Sequence, residues 1–152
     1  MIDQHITPGF WLSEFITSDY ATRHGLDNVP GVEEWRRIKT ILAPGMQTVR
    51  DCLGAPVLIT SGYRSPEVNK AVGGVSNSQH TQGLAADFKC PQVGMPRQVV
   101  QWILEHGHDV RWDQLIEEGT WVHVSFSQGT PRRQVLKARF SLSGTTYTPW
   151  NQ

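Results

Sequence analysis

Residues 113–118 and 121–126 are two alternating segments separated only by Gly119-Thr120, and this constrains the fold more than any other feature of the chain. A connection of two residues suits an antiparallel hairpin. In the second segment Val122, Val124 and Phe126 share one face, which leaves Trp121, His123 and Ser125 on the other. Residues directly opposed across a hairpin point to the same side. With a two-residue turn Glu118 therefore stands opposite Trp121, and Gln114, Ile116 and Glu118 join the face of Trp121 and His123. Residues 83–88 alternate in the same way, with Leu84, Ala86 and Phe88 on one face and Ala85 and Asp87 on the other. If both apolar faces cover one core, Asp87 and His123 line the opposite, accessible face of a single sheet.

The remaining segments supply helices and further strands. Thr17 or Ser18 can cap a short helix that closes at Gly25. Apolar residues then recur at Trp35, Ile38, Leu42, Met46, Val49 and Leu53, the period of a core-facing helix, with Pro44-Gly45 forcing a kink or a restart inside it. Residues 57–60 read as a strand, Ser65-Pro66 opens a short helix that Gly73-Gly74 ends, and Pro96 opens a helix that stops at Gly107. A strand is expected over 134–140, and the tail from 145 onward has no readable pattern. Clustered strands with separate helices predict an α+β fold, mainly an antiparallel sheet with helices packed on one side.

Composition narrows the function classes. The 152 residues carry 14 Lys+Arg against 14 Asp+Glu, so no basic footprint points to nucleic acid. Arg132-Arg133 is a dense cationic pair. Apolar residues at 38% can bury a core, which predicts one domain over residues 1–152. No run approaches the roughly 20 apolar residues of a membrane span, and the N-terminus lacks the cationic start and apolar core of a signal peptide, so cytoplasmic synthesis without membrane association is expected. Cys52 and Cys90 lie outside any Cys-x-x-Cys arrangement and read as small buried hydrophobes.

Three metal-ligand residue types converge in this pattern. Asp87 and His123 share the accessible face, and His80 stands seven residues before Asp87, in the loop leading into that strand. Two imidazoles and a carboxylate give Zn²⁺ three protein ligands and leave the fourth tetrahedral position for water, the pattern of catalytic sites. Such a site favours amide hydrolysis, because zinc brings the pKa of its water to about 7 and polarises a carbonyl. The competing reading is that these three residues merely cap loops and satisfy core hydrogen bonds. His5, His24, His106 and His108 have no partners at ligand spacing and read as structural.

Ser78-x-His80-x-x-Gly83-x-Ala85-x-Asp87 followed by Trp121-x-His123 resembles the signature of the zinc D-alanyl-D-alanine peptidases, whose fold is shared with the Hedgehog signalling domain. The stretches 15–28 and 61–66 and the run Asp113-Gln114-Leu115-Ile116 are similar to segments of single-domain, often phage-encoded, members. The resemblance implies a peptidase of bacterial cell-wall peptides, with one Zn²⁺ per chain held by His80, Asp87 and His123. It further implies that Arg64, after Ser61-Gly62-Tyr63, meets substrate, since a guanidinium fork suits the carboxylate of a stem peptide. Ser78 and Gln82 are expected as supporting donors near the substrate, Trp121 as a cleft wall, and Gly83 as a backbone requirement. The general base is an acid of the first hairpin strand. Counting from Asp113 selects Glu118, counting back from His123 selects Glu117, and the two-residue turn favours Glu118 with Glu117 as runner-up. The expected partner is a peptidoglycan stem peptide, met by a monomer as a D-Ala-D-Ala carboxypeptidase or an endolysin-type endopeptidase, released by phage lysis or carried in the virion. The rival readings are a catalytically silent zinc-binding module of the same fold and a structural protein without metal.

Overall fold

The computed structural model describes residues 2–151. A small ladder comes first, β1 (His5–Thr7) against β2 (Phe10–Trp11), followed by a 3₁₀ turn over Leu12–Phe15. The Ser18 hydroxyl accepts from Ala21 N–H at 3.1 Å and caps α1 (Asp19–His24). The long amphipathic segment then forms α2 (Val32–Arg37), a π turn over Ile38–Leu42, and α3 (Ala43–Leu53). The expected kink at Pro44 takes the form of that π turn. Pro44 has no N–H to give, and Ala43 N–H reaches back five residues to Ile38 O, so the helix widens by one residue instead of breaking.

The second half of the chain alternates strands with two helices: β3 (Leu58–Ser61), α4 (Pro66–Ala71), β4 (Ala85–Lys89), α5 (Pro96–His106), β5 (Gln114–Glu117), β6 (Val122–Ser125), β7 (Gln134–Ser141) and β8 (Gly144–Pro149). The six strands from β3 onward form one sheet in the order β3-β4-β6-β5-β7-β8. Every pair is antiparallel except β5 with β7, which is parallel. Residues 145–149 of the unreadable tail thus belong to a strand, paired with β7.

Register follows the alternation. Ile116 pairs with His123 and Glu117 with Val122, while Glu118 N–H donates to Trp121 O at 3.0 Å, so the connection is two residues long. Asp87 pairs directly with His123 across β4 and β6. Phe88, Leu115, Val122 and Val124 face α3 and α5 and are buried with Met46, Val49, Val99 and Ile103. Helices α3 and α5 therefore cover one face, and the opposite face carries Asp87 and His123. Cys90 is buried as expected, whereas Cys52 is only half-buried; both are free thiols. The Arg132-Arg133 pair is absorbed within the chain: Arg132 binds Asp113, and the Arg133 guanidinium lies 3.6 Å from the Trp112 ring centroid. No helix among the described residues is long and apolar enough to cross a membrane.

Candidate metal centre

His80 reaches the sheet from a loop that is held at both ends. Its N–H donates to Ser78 Oγ at 3.2 Å, and its carbonyl accepts from Arg64 N–H at 3.1 Å. Gly83, at φ +74°, turns the chain from this loop toward β4. The buried imbalance is in the ring itself. Nδ1 lies 2.8 Å from Gly62 O, an oxygen that can only accept, so Nδ1 carries the proton and Nε2 presents its lone pair. That Nε2 is buried with no hydrogen bond. It stands 3.3 Å from Asp87 Oδ1, and His123 Nδ1 stands 2.9 Å from the same oxygen.

A lone pair turned toward a carboxylate in a buried site is unfavourable unless a cation lies between them. Protonation would also relieve it, but burial pushes the His80 pKa down, against the pull of Asp87. Burial alone would raise the Asp87 pKa; the bond from His123 Nδ1 opposes it and the carboxyl stays well below the usual range, so Asp87 is an anion. One ligand atom from each of His80, Asp87 and His123 lies within 4.8 Å of the others. Two imidazole nitrogens and a carboxylate oxygen are a donor set for zinc, and the Gly62 carbonyl behind His80 is the outer partner that orients such a ligand.

The three residues form the floor of a cleft of about 660 Å³, whose walls include Arg64, Ser78, Glu118, Trp121 and Tyr147. Glu118 and Glu117 part as alternation requires. Glu118 faces the cleft, where burial raises its pKa against the pull of His123. Glu117 turns toward α5, beside Arg97 and Lys137, and its Oε1 accepts from Gly119 N–H at 2.6 Å, closing the hairpin turn. Arg64 enters from the other wall. Its Nη1 donates to Asn69 Oδ1 at 3.3 Å, no carboxylate among the described residues pairs with it, and burial lowers its pKa without making it neutral.

Two expected supports are placed differently. Ser78 is in the cleft, but its hydroxyl accepts from the His80 backbone and so shapes the loop. Gln82 is not among the residues lining the cleft; its backbone carbonyl accepts from Arg37 Nη1 at 3.2 Å.

Several residues of the site have no local sequence signal. Buried Asn69 bridges Arg64 and the Val75 carbonyl, to which it donates at 2.8 Å. Asn28 donates to the carbonyls of Ile16 and Tyr63 and accepts from Ser65 N–H, fastening the loop of Arg64 to the N-terminal segment. Asp113 receives the Arg132 guanidinium at 2.7 Å and Gln79 Nε2 at 3.0 Å, so the Arg132 charge is neutralised at the cleft edge. Tyr147, from the far strand, lines the same cleft as Glu118. Long-range pairing alone reveals these partners.

A mixed sheet backed by helices, with three convergent ligand atoms and a desolvated carboxyl on its open face, defines a candidate metal-dependent hydrolase. The chain belongs to the Peptidase M15 family, whose sequence model matches residues 8–125. It is therefore a member of a family of zinc-dependent peptidases, and the resemblance read from the His80, Asp87 and His123 motif led to the same family. A search of curated proteins found no match.

Proposed function

We propose that the chain is a zinc-dependent peptidoglycan peptidase that hydrolyses an amide bond of the bacterial stem peptide, as a D-Ala-D-Ala carboxypeptidase or an endolysin-type endopeptidase. The observation that carries this reading is the position of Glu118, on the cleft face shared by His80, Asp87 and His123 and across from Arg64, which pairs with no carboxylate among the described residues.

His80, Asp87 and His123 would hold the zinc, and what it would supply there is Lewis acidity, lowering the pKa of a water to about 7 and polarising the scissile carbonyl. The Glu118 carboxylate takes a proton from the attacking water and returns it to the leaving amine nitrogen. A raised pKa suits both halves of that transfer, since it strengthens the base while keeping the acid able to donate. Arg64 offers its guanidinium fork to a peptide carboxylate, and Asn69 holds the fork in place. Arg132 is already occupied by Asp113, which leaves Arg64 as the guanidinium available for substrate on this face. Trp121 flanks the floor beside Glu118 and gives the peptide an apolar rim.

Zinc analysis of the purified protein, followed by incubation with purified muropeptides and mass spectrometry, tests the proposal. One zinc per chain with a cleaved stem peptide is the expected result. Loss of a terminal alanine identifies a carboxypeptidase, and a split into two peptides identifies an endopeptidase. Zinc without cleavage of any muropeptide makes the chain a silent binding module, and protein that stays metal-free after zinc addition overturns the reading altogether.

A further inference from the structure

We infer that Tyr147, on a strand beyond the family-matched stretch of residues 8–125, is a positioning residue that holds the Glu118 carboxylate in the orientation for proton transfer. The inference rests on the reading of Glu118 as proton acceptor.

Register carries the argument. Glu118 is opposed to Trp121 across the hairpin, and Glu117 pairs with Lys137 in the parallel β5-β7 ladder. One step further along that ladder, Glu118 stands beside Ala138, and Ala138 pairs with Tyr147. Trp121, Glu118, Ala138 and Tyr147 thus form one row across the sheet, all on the cleft face. Two strand spacings of about 4.8 Å separate Glu118 from Tyr147. The residue between them ends at a methyl group, so the phenol can pass over it toward the carboxyl, and both residues line the cleft.

The chemistry selects a direction for the inferred bond. Burial and the neighbouring Glu118 and Asp87 charges push the phenol pKa up, so the hydroxyl keeps its proton and donates. Glu118 needs such a partner because β5 ends at Glu117 and Gly119-Thr120 follow at once. The neighbouring ladder also steadies the turn, since the Phe140 ring packs over Gly119. Core packing does not account for Tyr147, which is 50% exposed on an edge strand. A donor on one carboxylate oxygen restricts rotation of the group and leaves the other oxygen toward the floor of the cleft.

Steady-state kinetics on a purified muropeptide test this with Tyr147→Phe, Ala138→Val and the double variant. Tyr147→Phe is expected to lower kcat roughly tenfold, the scale of one hydrogen bond to a charged group, with KM within about twofold and zinc content unchanged. Ala138→Val, which fills the gap and keeps the phenol, should produce a loss of the same kind. Because both break one contact, the double variant should be no slower than Tyr147→Phe. Unchanged kcat in Tyr147→Phe, a rise in KM alone, or losses that multiply would each overturn the inference. Glu118→Gln in the same assay separates the two levels. If it turns over normally, the proton-acceptor reading fails and this inference with it. If it is inactive while Tyr147→Phe is normal, the inference alone fails.

Discussion

On the Arg64 side of the cleft the wall is an irregular loop fastened by buried polar groups. Asn69 ties Arg64 to Val75, Asn28 ties Tyr63 and Ser65 to Ile16, and the Gly62 carbonyl holds His80. The opposite wall is the β7-β8 hairpin, a regular ladder at the sheet edge with Phe140, Leu142 and Tyr147 exposed. The first wall holds a metal ligand and has little freedom to change, because each buried donor or acceptor left unpaired costs about 1–3 kcal/mol. The second satisfies its backbone internally and leaves its side chains open to variation. The contrast separates the part of the cleft that must be rigid for chemistry from the part that can be reshaped for a substrate.

The largest effects should come from the floor between the two walls. His80→Ala, Asp87→Ala and His123→Ala should each reduce bound zinc and abolish muropeptide hydrolysis, as read by metal analysis and mass spectrometry. Full activity in any one of them would remove that residue from the site. Next comes the pair of adjacent glutamates. Glu118→Gln should keep zinc and fold but lose a factor on the order of 10² to 10⁴ in kcat, while Glu117→Gln should be mild because its carboxylate serves the turn. The reverse ranking, with zinc retained, would show that the working register differs from the one described.

The anchored wall should fail through its backbone. A Cβ at Gly62 would run into the Phe15 carbonyl, so Gly62→Ala should cost about 1–3 kcal/mol in urea unfolding, and zinc affinity should fall by roughly 10- to 100-fold as the His80 ring loses its outer partner. Stability and affinity equal to wild type would show that the loop is less constrained than its contacts indicate. Arg64→Lys should then lower kcat/KM by roughly tenfold, because an ammonium keeps the charge but loses the fork that Asn69 orients. Unchanged kinetics on a stem peptide would make Arg64 scaffolding. At the tip of the other wall, Leu142→Ser should change stability by no more than about 0.5 kcal/mol in thermal unfolding, since Leu142 is fully exposed. A larger loss would mean that the two walls are more alike than described.

Local pattern determined a great deal of this protein. Period-two alternation assigned Asp87 and His123 to one face, and the Gly119-Thr120 spacing placed Glu118 opposite Trp121, because strand geometry leaves no alternative once the turn length is known. Caps at Ser18 and Ser65 and the apolar period of the long helix were legible for the same reason: they depend on residues within four positions of one another. The π turn before Pro44 was legible only as an irregularity, since widening and breaking a helix relieve the same clash.

What tertiary structure decided lies at larger separations. Asn28 meets Ser65 across 37 positions and Gln79 meets Asp113 across 34, and neither pairing leaves a periodic trace. Gln82 stood close to the ligands in sequence yet does not line the cleft, and its backbone carbonyl accepts from Arg37. Tyr147 had no visible place at all until β8 joined the sheet, and its relation to Glu118 exists only through the register of β7 between them. Alternation tells which side of a strand a residue occupies, but which strands become neighbours is settled by chain topology and core packing, and those contacts put Tyr147 on the cleft that Glu118 lines.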